Sequence, residues 1–232
     1  MKNTLIVVFL LIFSVQQIKS QTVLIHKTKQ PIVIDGDLSD WHSPFSQPFV
    51  IHNSEEKATQ TTVASLSWDN NFLYIAYNSI DSEIVGKARN QDSPLFETDD
   101  LVEIFISPDA KVKNYIEIGV NAFSSNYDLL IRCIGSDCAK RKSDLSISVK
   151  GLQTASKITD SGYSVEIAVP FSSLNEITNG NFKTPKIGTI WKGNLFRIDF
   201  GQTKEYQSLK AYKSKKYGFH QAAEFAELRF VK

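Results

Sequence analysis

The residues best suited to chemistry form one run, Phe96-Glu97-Thr98-Asp99-Asp100-Leu101-Val102-Glu103-Ile104-Phe105-Ile106. Acids lead directly into an alternating segment. As a strand it sends Val102, Ile104 and Ile106 to one face and Leu101, Glu103 and Phe105 to the other. An aromatic ring beside fixed carboxylates is the combination a sugar requires. The ring covers the apolar C–H face of a pyranose, and the carboxylates accept its hydroxyl hydrogens. A plain sandwich strand with a solvated outer face carries the same pattern, so the surrounding elements have to decide.

Those elements have period two almost throughout. Thr62–Trp68 and Phe72–Tyr77 form a pair around the turn Asp69-Asn70-Asn71, and Leu101–Ser107 and Tyr115–Asn121 form a second pair through Pro108-Asp109. Further strands are expected at Tyr127–Cys133, Leu145–Lys150, Ala155–Thr159, Tyr163–Val169, Trp191–Phe200 and Glu227–Val231. Helix is confined to a turn near Phe171–Leu174 and another near Gln221–Glu224, and Leu174–Gly188 reads as one long surface connection. Many short strands with Gly, Asn, Asp, Ser and Pro between them predict an all-β, immunoglobulin-like or jelly-roll sandwich of antiparallel strands with very little helix. Val102, Ile104, Ile106, Ile116, Ile118, Val120, Val165, Ile167 and Val169 are its expected core. Glu103, Glu117, Gly119, Asn121, Glu166, Arg197 and Asp199 are expected on polar outer faces, which sandwiches have whether or not they bind anything.

Residues 1–20 read as a cleaved secretory signal: Lys2 supplies the positive start, Leu5–Val15 the apolar stretch and Ser20 the small residue before the cut. That stretch is short for a membrane span, and no later one follows. The expected mature chain, 21–232, is a single exported domain, periplasmic or extracellular, and a monomer. It is long enough to bury a core without staples. The chain has 26 Lys and Arg against 25 Asp and Glu, a net charge of +1, with no basic stripe, so nucleic acid is not an expected partner. Lys140-Arg141-Lys142 reads as a solvated loop. In an exported chain Cys133 and Cys138 favour a local disulfide, because no His lies near them to complete a metal site.

Five segments carry a resemblance: Ile34-Asp35-Gly36-Asp37-Leu38-Ser39-Asp40-Trp41, Ser67–Ala76, Glu97–Ile106, Tyr163–Phe171 and Gly218–Leu228. In this order and spacing they resemble the family 9 carbohydrate-binding modules and their relatives in the DOMON-like superfamily, over nearly the whole mature chain. The resemblance implies a sandwich that binds poly- or oligosaccharides on its surface, carries structural Ca2+, needs no organic cofactor and works beside glycoside hydrolases without catalysing anything itself. It assigns the two aromatic platforms to Phe96 and Phe219, where better-known members have Trp, and the sugar-contacting strand glutamate to Glu103. It retains Asn121 and places Gly119 where those members have an arginine. Asp99 and Asp100, or Asp35, Asp37 and Asp40, could serve calcium.

Trp41, Trp68 and Trp191 fit framework positions and are expected in packing roles. Tyr212 and Tyr217 are weaker platform candidates, and His220 is expected to bond within its loop. The competing classes are a structural or adhesion sandwich that has lost sugar binding, a haem-binding relative using His26, His42, His52 or His220, and a glycosidase with paired carboxylates. The last lacks any HExxH motif or nucleophile elbow.

Overall fold

The computed structural model describes residues 21–108, 110–135, 138, 140–178, 182–213 and 218–232. The expected signal segment, Asp109 and Tyr217 lie outside the described residues.

The strands are β1 (Thr22–Lys27), β2 (Val50–Ile51), β3 (Thr62–Trp68), β4 (Phe72–Ile80), β5 (Leu101–Ser107), β6 (Asn114–Asn121), β7 (Asn126–Ile134), β8 (Lys140–Asp144), β9 (Gln153–Thr159), β10 (Gly162–Pro170), β11 (Ile190–Asp199), β12 (Glu205–Ser208) and β13 (Ala226–Val231). Among the described residues one α-helix, α1 (Phe171–Ile177), follows β10 directly, and a 3-10 turn at Ala222–Glu224 precedes β13. The ladder runs β8-β7-β6-β5-β11-β13-β1-β3-β4-β10-β9, with β12 and β2 attached to the far end of β11. It folds back on itself as a sandwich. Val102, Ile104 and Ile106 of β5 and Ile116, Ile118 and Val120 of β6 share one buried cluster with Leu66, Ile75, Tyr77, Val165, Ile167 and Val169. The expected core is therefore the observed one. Pairing is antiparallel except at β1, which runs parallel to both β13 and β3.

Three expectations are corrected. Leu145–Lys150 is not a strand; Leu145 is exposed, and the strand is instead Lys140–Asp144, the basic run read as a loop. It pairs with β7 from Ile134 to Leu130, and a strand at the end of the sheet tolerates Lys and Arg because its free edge faces water. Secondly, Arg197 and Asp199 do not face out. In the β5–β11 ladder Phe196 stands opposite Glu103 and Arg197 opposite Val102, so the arginine points between the layers, where it is wholly buried. Thirdly, the outer faces are not solvated. Glu103, Glu117 and Glu166 are all buried, because loops cover the sheets on both sides.

The loop over β10 explains two of the motifs. Ile32, Ile34, Leu38 and Trp41 pack on Tyr74, Ala76 and Ala168, and Glu166 accepts hydrogen bonds from Trp41 Nε1, Asp35 N and Gly36 N. Gly36 has φ +85° and lies so close to Ser156 and Lys157 that a Cβ would collide with their backbone. The acid on β10 and the Asp-Gly turn are thus two halves of one clip. Trp41, Trp68 and Trp191 are buried as expected.

Candidate functional site

The other covered face holds a cleft of about 420 Å³. Its floor comes from β5, β6 and β7, and its walls from the Leu95–Glu97 turn, β12 and the loop before β13. Cross-strand register builds the floor. Glu103 faces Gly119, which faces Tyr127; one row along, Phe105 faces Glu117, which faces Leu129. Gly119 leaves the space that Tyr127 fills: a Cβ there would overlap the tyrosine ring. The ring lies across β6, and its hydroxyl meets both acids, donating to Glu103 Oε1 and standing 3.1 Å from Glu117 Oε1.

One hydroxyl has one hydrogen to donate. If it donates to Glu103, the Glu117 contact needs a proton from Glu117, so the three groups form a chain from Glu117 through Tyr127 to Glu103. Burial pushes the Glu103 carboxyl up to about 7 against the pull of Tyr127. Burial, then the charge of Glu103, pushes Glu117 well above the usual range. The remaining oxygen of each acid, Oε2, has no hydrogen-bond partner among the described residues. His220 Nδ1 bonds the Tyr115 hydroxyl at 2.8 Å, and its Nε2 stands 3.8 Å from Glu117 Oε2. Burial, with Arg141 nearby, lowers the His220 pKa to about 4, so the ring is neutral around neutral pH.

Rings frame this polar floor. Phe96 is 40% exposed and meets Tyr127 edge-on at 5.6 Å. Phe219 is buried to 8% exposure, stacked on Phe196 at 4.2 Å, with His52 and Tyr206 against it edge-on. Tyr206, on the short strand β12, is exposed at the rim.

Of the residues expected to bind sugar, the structure brings Phe96, Glu103 and Phe219 to one cleft. Asn121 is not there. It is fully buried, its Oδ1 accepts from Phe123 N and Ser125 N, and its Nδ2 donates to Lys87 O and Asp99 Oδ2. It braces the acid run from behind, with no capacity left for a ligand. Glu117, Tyr127 and Tyr206 were not anticipated as site residues. Glu117 and Gly119 had been grouped with Glu103 on one face, which was the available signal for the floor. Cys133 and Cys138 form the expected disulfide at the end of the β7–β8 hairpin.

The acids considered for calcium separate. Asp99 is consumed by Arg89, Thr98 and Asn121. Burial alone would raise its pKa, but these partners hold it at about 2. Asp35, Asp37 and Asp40 brace their own turn: Asp37 N bonds Asp35, Ser39 N bonds Asp37 and Val33 N bonds Asp40, while Lys157 pairs with Asp37. Asp100 belongs elsewhere, with Asp81 and Asp199, all buried and with a carboxylate oxygen of each within 4.8 Å of the others. Oxygen donors so gathered suit a hard cation. Arg197 already shares the cluster, 2.8 Å from Asp81 and 3.0 Å from Asp199.

A β-sandwich with an aromatic-walled, acid-floored cleft on a sheet face is the architecture of a saccharide-binding module. Residues 34–218 match the model of the family described as carbohydrate family 9 binding domain-like, and the chain belongs to that family. It is similar to a candidate carbohydrate-binding protein of Bacteroides uniformis, with a TM-score of 0.71 and 16% identity over 91% of this chain and 99% of that one. It is also similar to a family 9 module of Caldicellulosiruptor kristjanssonii solved with glucose, with a TM-score of 0.62 and 16% identity over 90% of this chain and 95% of that one. Among curated proteins, endo-1,4-beta-xylanase A of Thermoanaerobacterium saccharolyticum is 28% identical over 162 residues, 68% of this chain. The match spans 12% of that xylanase's length. Among the described residues no helix is long and apolar enough to cross a membrane.

Proposed function

We propose that this chain binds a saccharide in the Phe96–Phe219 cleft and catalyses nothing there. The observation that carries the reading is the pair of buried glutamates, each with an unpartnered oxygen, set between aromatic walls. Phe96 and Tyr206 offer ring surface to the apolar face of a sugar, and Glu103 and Glu117 offer hydrogen-bonding groups at the floor. Both acids contact the same tyrosine hydroxyl and stand side by side on adjacent strands. They do not flank a substrate from opposite sides, as glycoside hydrolysis requires. The family 9 modules solved with glucose and with cellotriose make β-linked glucan the first ligand to try.

The same reading extends to the setting. The protein is exported and holds glycan beside hydrolases that act in trans. Calcium, where it binds, would be held by Asp81, Asp100 and Asp199 and would supply charge to fix the end of β11. Its test is a thermal melt with and without chelator, in which Asp199→Asn abolishes any calcium-dependent rise.

A glycan array followed by calorimetry tests the main reading. Binding that falls at least about tenfold in Phe96→Ala, with an unchanged melt, supports it. A folded protein that binds no glycan supports a sandwich that has kept the fold and lost the ligand.

A further inference from the structure

The cleft has an imbalance that a neutral sugar does not relieve. Two carboxyl groups meet at its floor, and no Lys or Arg is among the described residues lining it. Among the described residues the charged and titratable groups around the pair are few. On β5 and β6 they are Glu103, Glu117 and Tyr115; on β7, Tyr127; on β8, Arg141, opposite Cys133, whose charge acts on Glu117; above them, His220 and His52; and at the Tyr206 side, Lys204, whose Nζ lies over the Phe200 ring. Both histidines are held neutral by burial. Among the described residues no Lys or Arg forms an ion pair with either acid, and burial leaves the pair holding a proton. Each acid is at least 95% buried, lines the cleft and has an oxygen without a partner.

We infer that the cleft selects a sugar carrying a free amine, whose ammonium takes the unpartnered oxygens of Glu103 and Glu117. This rests on the saccharide reading above and names the class of sugar. An ammonium has three N–H donors and a charge, so it can meet both carboxylates at once, whereas a hydroxyl brings one donor and no charge. The walls add to the match, since the faces of Phe and Tyr attract cations. The chain's own ammonium, Lys204 Nζ, already lies 5.2 Å from the centre of the Tyr206 ring at the cleft's rim. The balance of the binding step is simple. The ammonium enters, the proton shared along Glu117, Tyr127 and Glu103 leaves to solvent, and no bond to carbon changes.

The test is calorimetry near pH 6.5 with glucosamine, glucose and N-acetylglucosamine, and with de-N-acetylated and N-acetylated chito-oligosaccharides. These arms separate a free monosaccharide from a polymer as the source of the amine. Repeating the titrations in buffers of different ionisation enthalpy counts protons. The expected result is that amine-bearing sugars bind about tenfold or more tightly than their neutral counterparts. They should release a fraction of a proton up to about one, while neutral sugars release none. Glu117→Gln should remove both the preference and the release; Glu103→Gln is the second variant if the first does not fold. Equal affinity for glucose and glucosamine, or tighter binding of the N-acetylated forms, overturns this inference and leaves the saccharide reading standing. Failure of every sugar, glucans included, overturns both.

Discussion

The two buried acid clusters fed by β5 are three residues apart in sequence and opposite in construction. At Asp100 the protein has brought its own compensation. Arg197 pairs with Asp81 and Asp199, the backbone N–H groups of Val85 and Phe200 bond Asp100, and Glu83 N and Gly201 N bond the other two acids. At Glu103 there is a tyrosine hydroxyl for two acids and a cleft above. Carboxylates just before and within β5 thus serve differently according to who completes them. Where the protein supplies the cation and the N–H groups, the cluster fixes the ends of β4, β5 and β11. Where it leaves buried oxygens without a hydrogen-bond partner beneath aromatic rings, the cluster has hydrogen-bonding capacity left for a ligand.

The comparison breaks most visibly at Arg197. Arg197→Met leaves three buried acids without their cation and should lower stability by about 3–5 kcal/mol, the usual loss when one partner of a buried ion pair is removed. Glu117→Gln exchanges a protonated carboxyl for a neutral amide of the same shape that can still donate to Tyr127, and should change stability by less than about 1 kcal/mol in either direction. Urea denaturation of both variants measures the contrast. Equal losses would mean that the cleft acids are as structural as the aspartates.

The rings divide in the same way. Phe219 is stacked in an aromatic cluster, and Phe219→Ala should destabilise by about 3 kcal/mol or more, as for other buried Phe truncations. Phe96 is 40% exposed, so Phe96→Ala should cost less than about 1 kcal/mol of stability while weakening ligand binding. A Phe219→Ala protein that melts normally and only loses affinity would move the main platform to Phe219.

Acidity sharpens the comparison further. With calcium chelated, Glu103 and Asp100 each have a folded-state pKa raised to about 7, Asp100 mainly by burial and then against its Val85 and Phe200 hydrogen bonds. Between the unfolded carboxylate range and pH 7 the folded state holds more protons, so these two groups make stability fall as pH rises through that window. Asp99 acts in the other direction: held at about 2, it contributes stability above the unfolded range that is lost as pH falls through 2. The protein should therefore be most stable near pH 4 to 5, roughly where the two trends cross. Glu103→Gln and Asp100→Asn should each flatten the decline toward pH 7, but only the first should alter sugar affinity. A stability that rises steadily from pH 4 to 7 would contradict the protonated state of both clusters.

How far these clusters were legible follows from what one sequence encodes. Alternation puts Glu103 and Glu117 on the face opposite Val102 and Ile118, and the resemblance singles out Phe96 and Phe219. It does not encode register, so Tyr127 reaching across Gly119 to both acids could not be read. Nor could Tyr206, which reaches the rim on a four-residue strand paired to β11. Asn121 failed for a local reason: it shares the face of Glu103 but is the last residue of β6, where the turn to Ser125 claims its side chain. Arg197 and Asp199 failed because polar residues on a strand were expected to face water. Between the layers they satisfy each other, a solution that appears only when Asp81 and Asp100 arrive from elsewhere in the chain.

The smallest expected effect concerns the hairpin that bounds the cleft. β8 lies at the end of the sheet, consists largely of charged residues and among the described residues pairs only with β7, yet it carries Ser143 to the cleft and brings the charge of Arg141 to bear on Glu117 and His220. The disulfide joins residues five apart, so it removes little freedom from the unfolded chain and should contribute about 2 kcal/mol or less. Its effect should be local. Replacing Cys133 and Cys138 by Ser should leave the core's hydrogen-exchange protection in β5 and β10 nearly unchanged while β8 amides exchange faster. If Arg141 tunes the neighbouring acids from this strand, loosening β8 should shift the pH dependence of binding more than its strength. A double variant that loses affinity outright would mean that β8 holds the ligand directly, and would extend the site from the glutamate pair to the edge of the sheet.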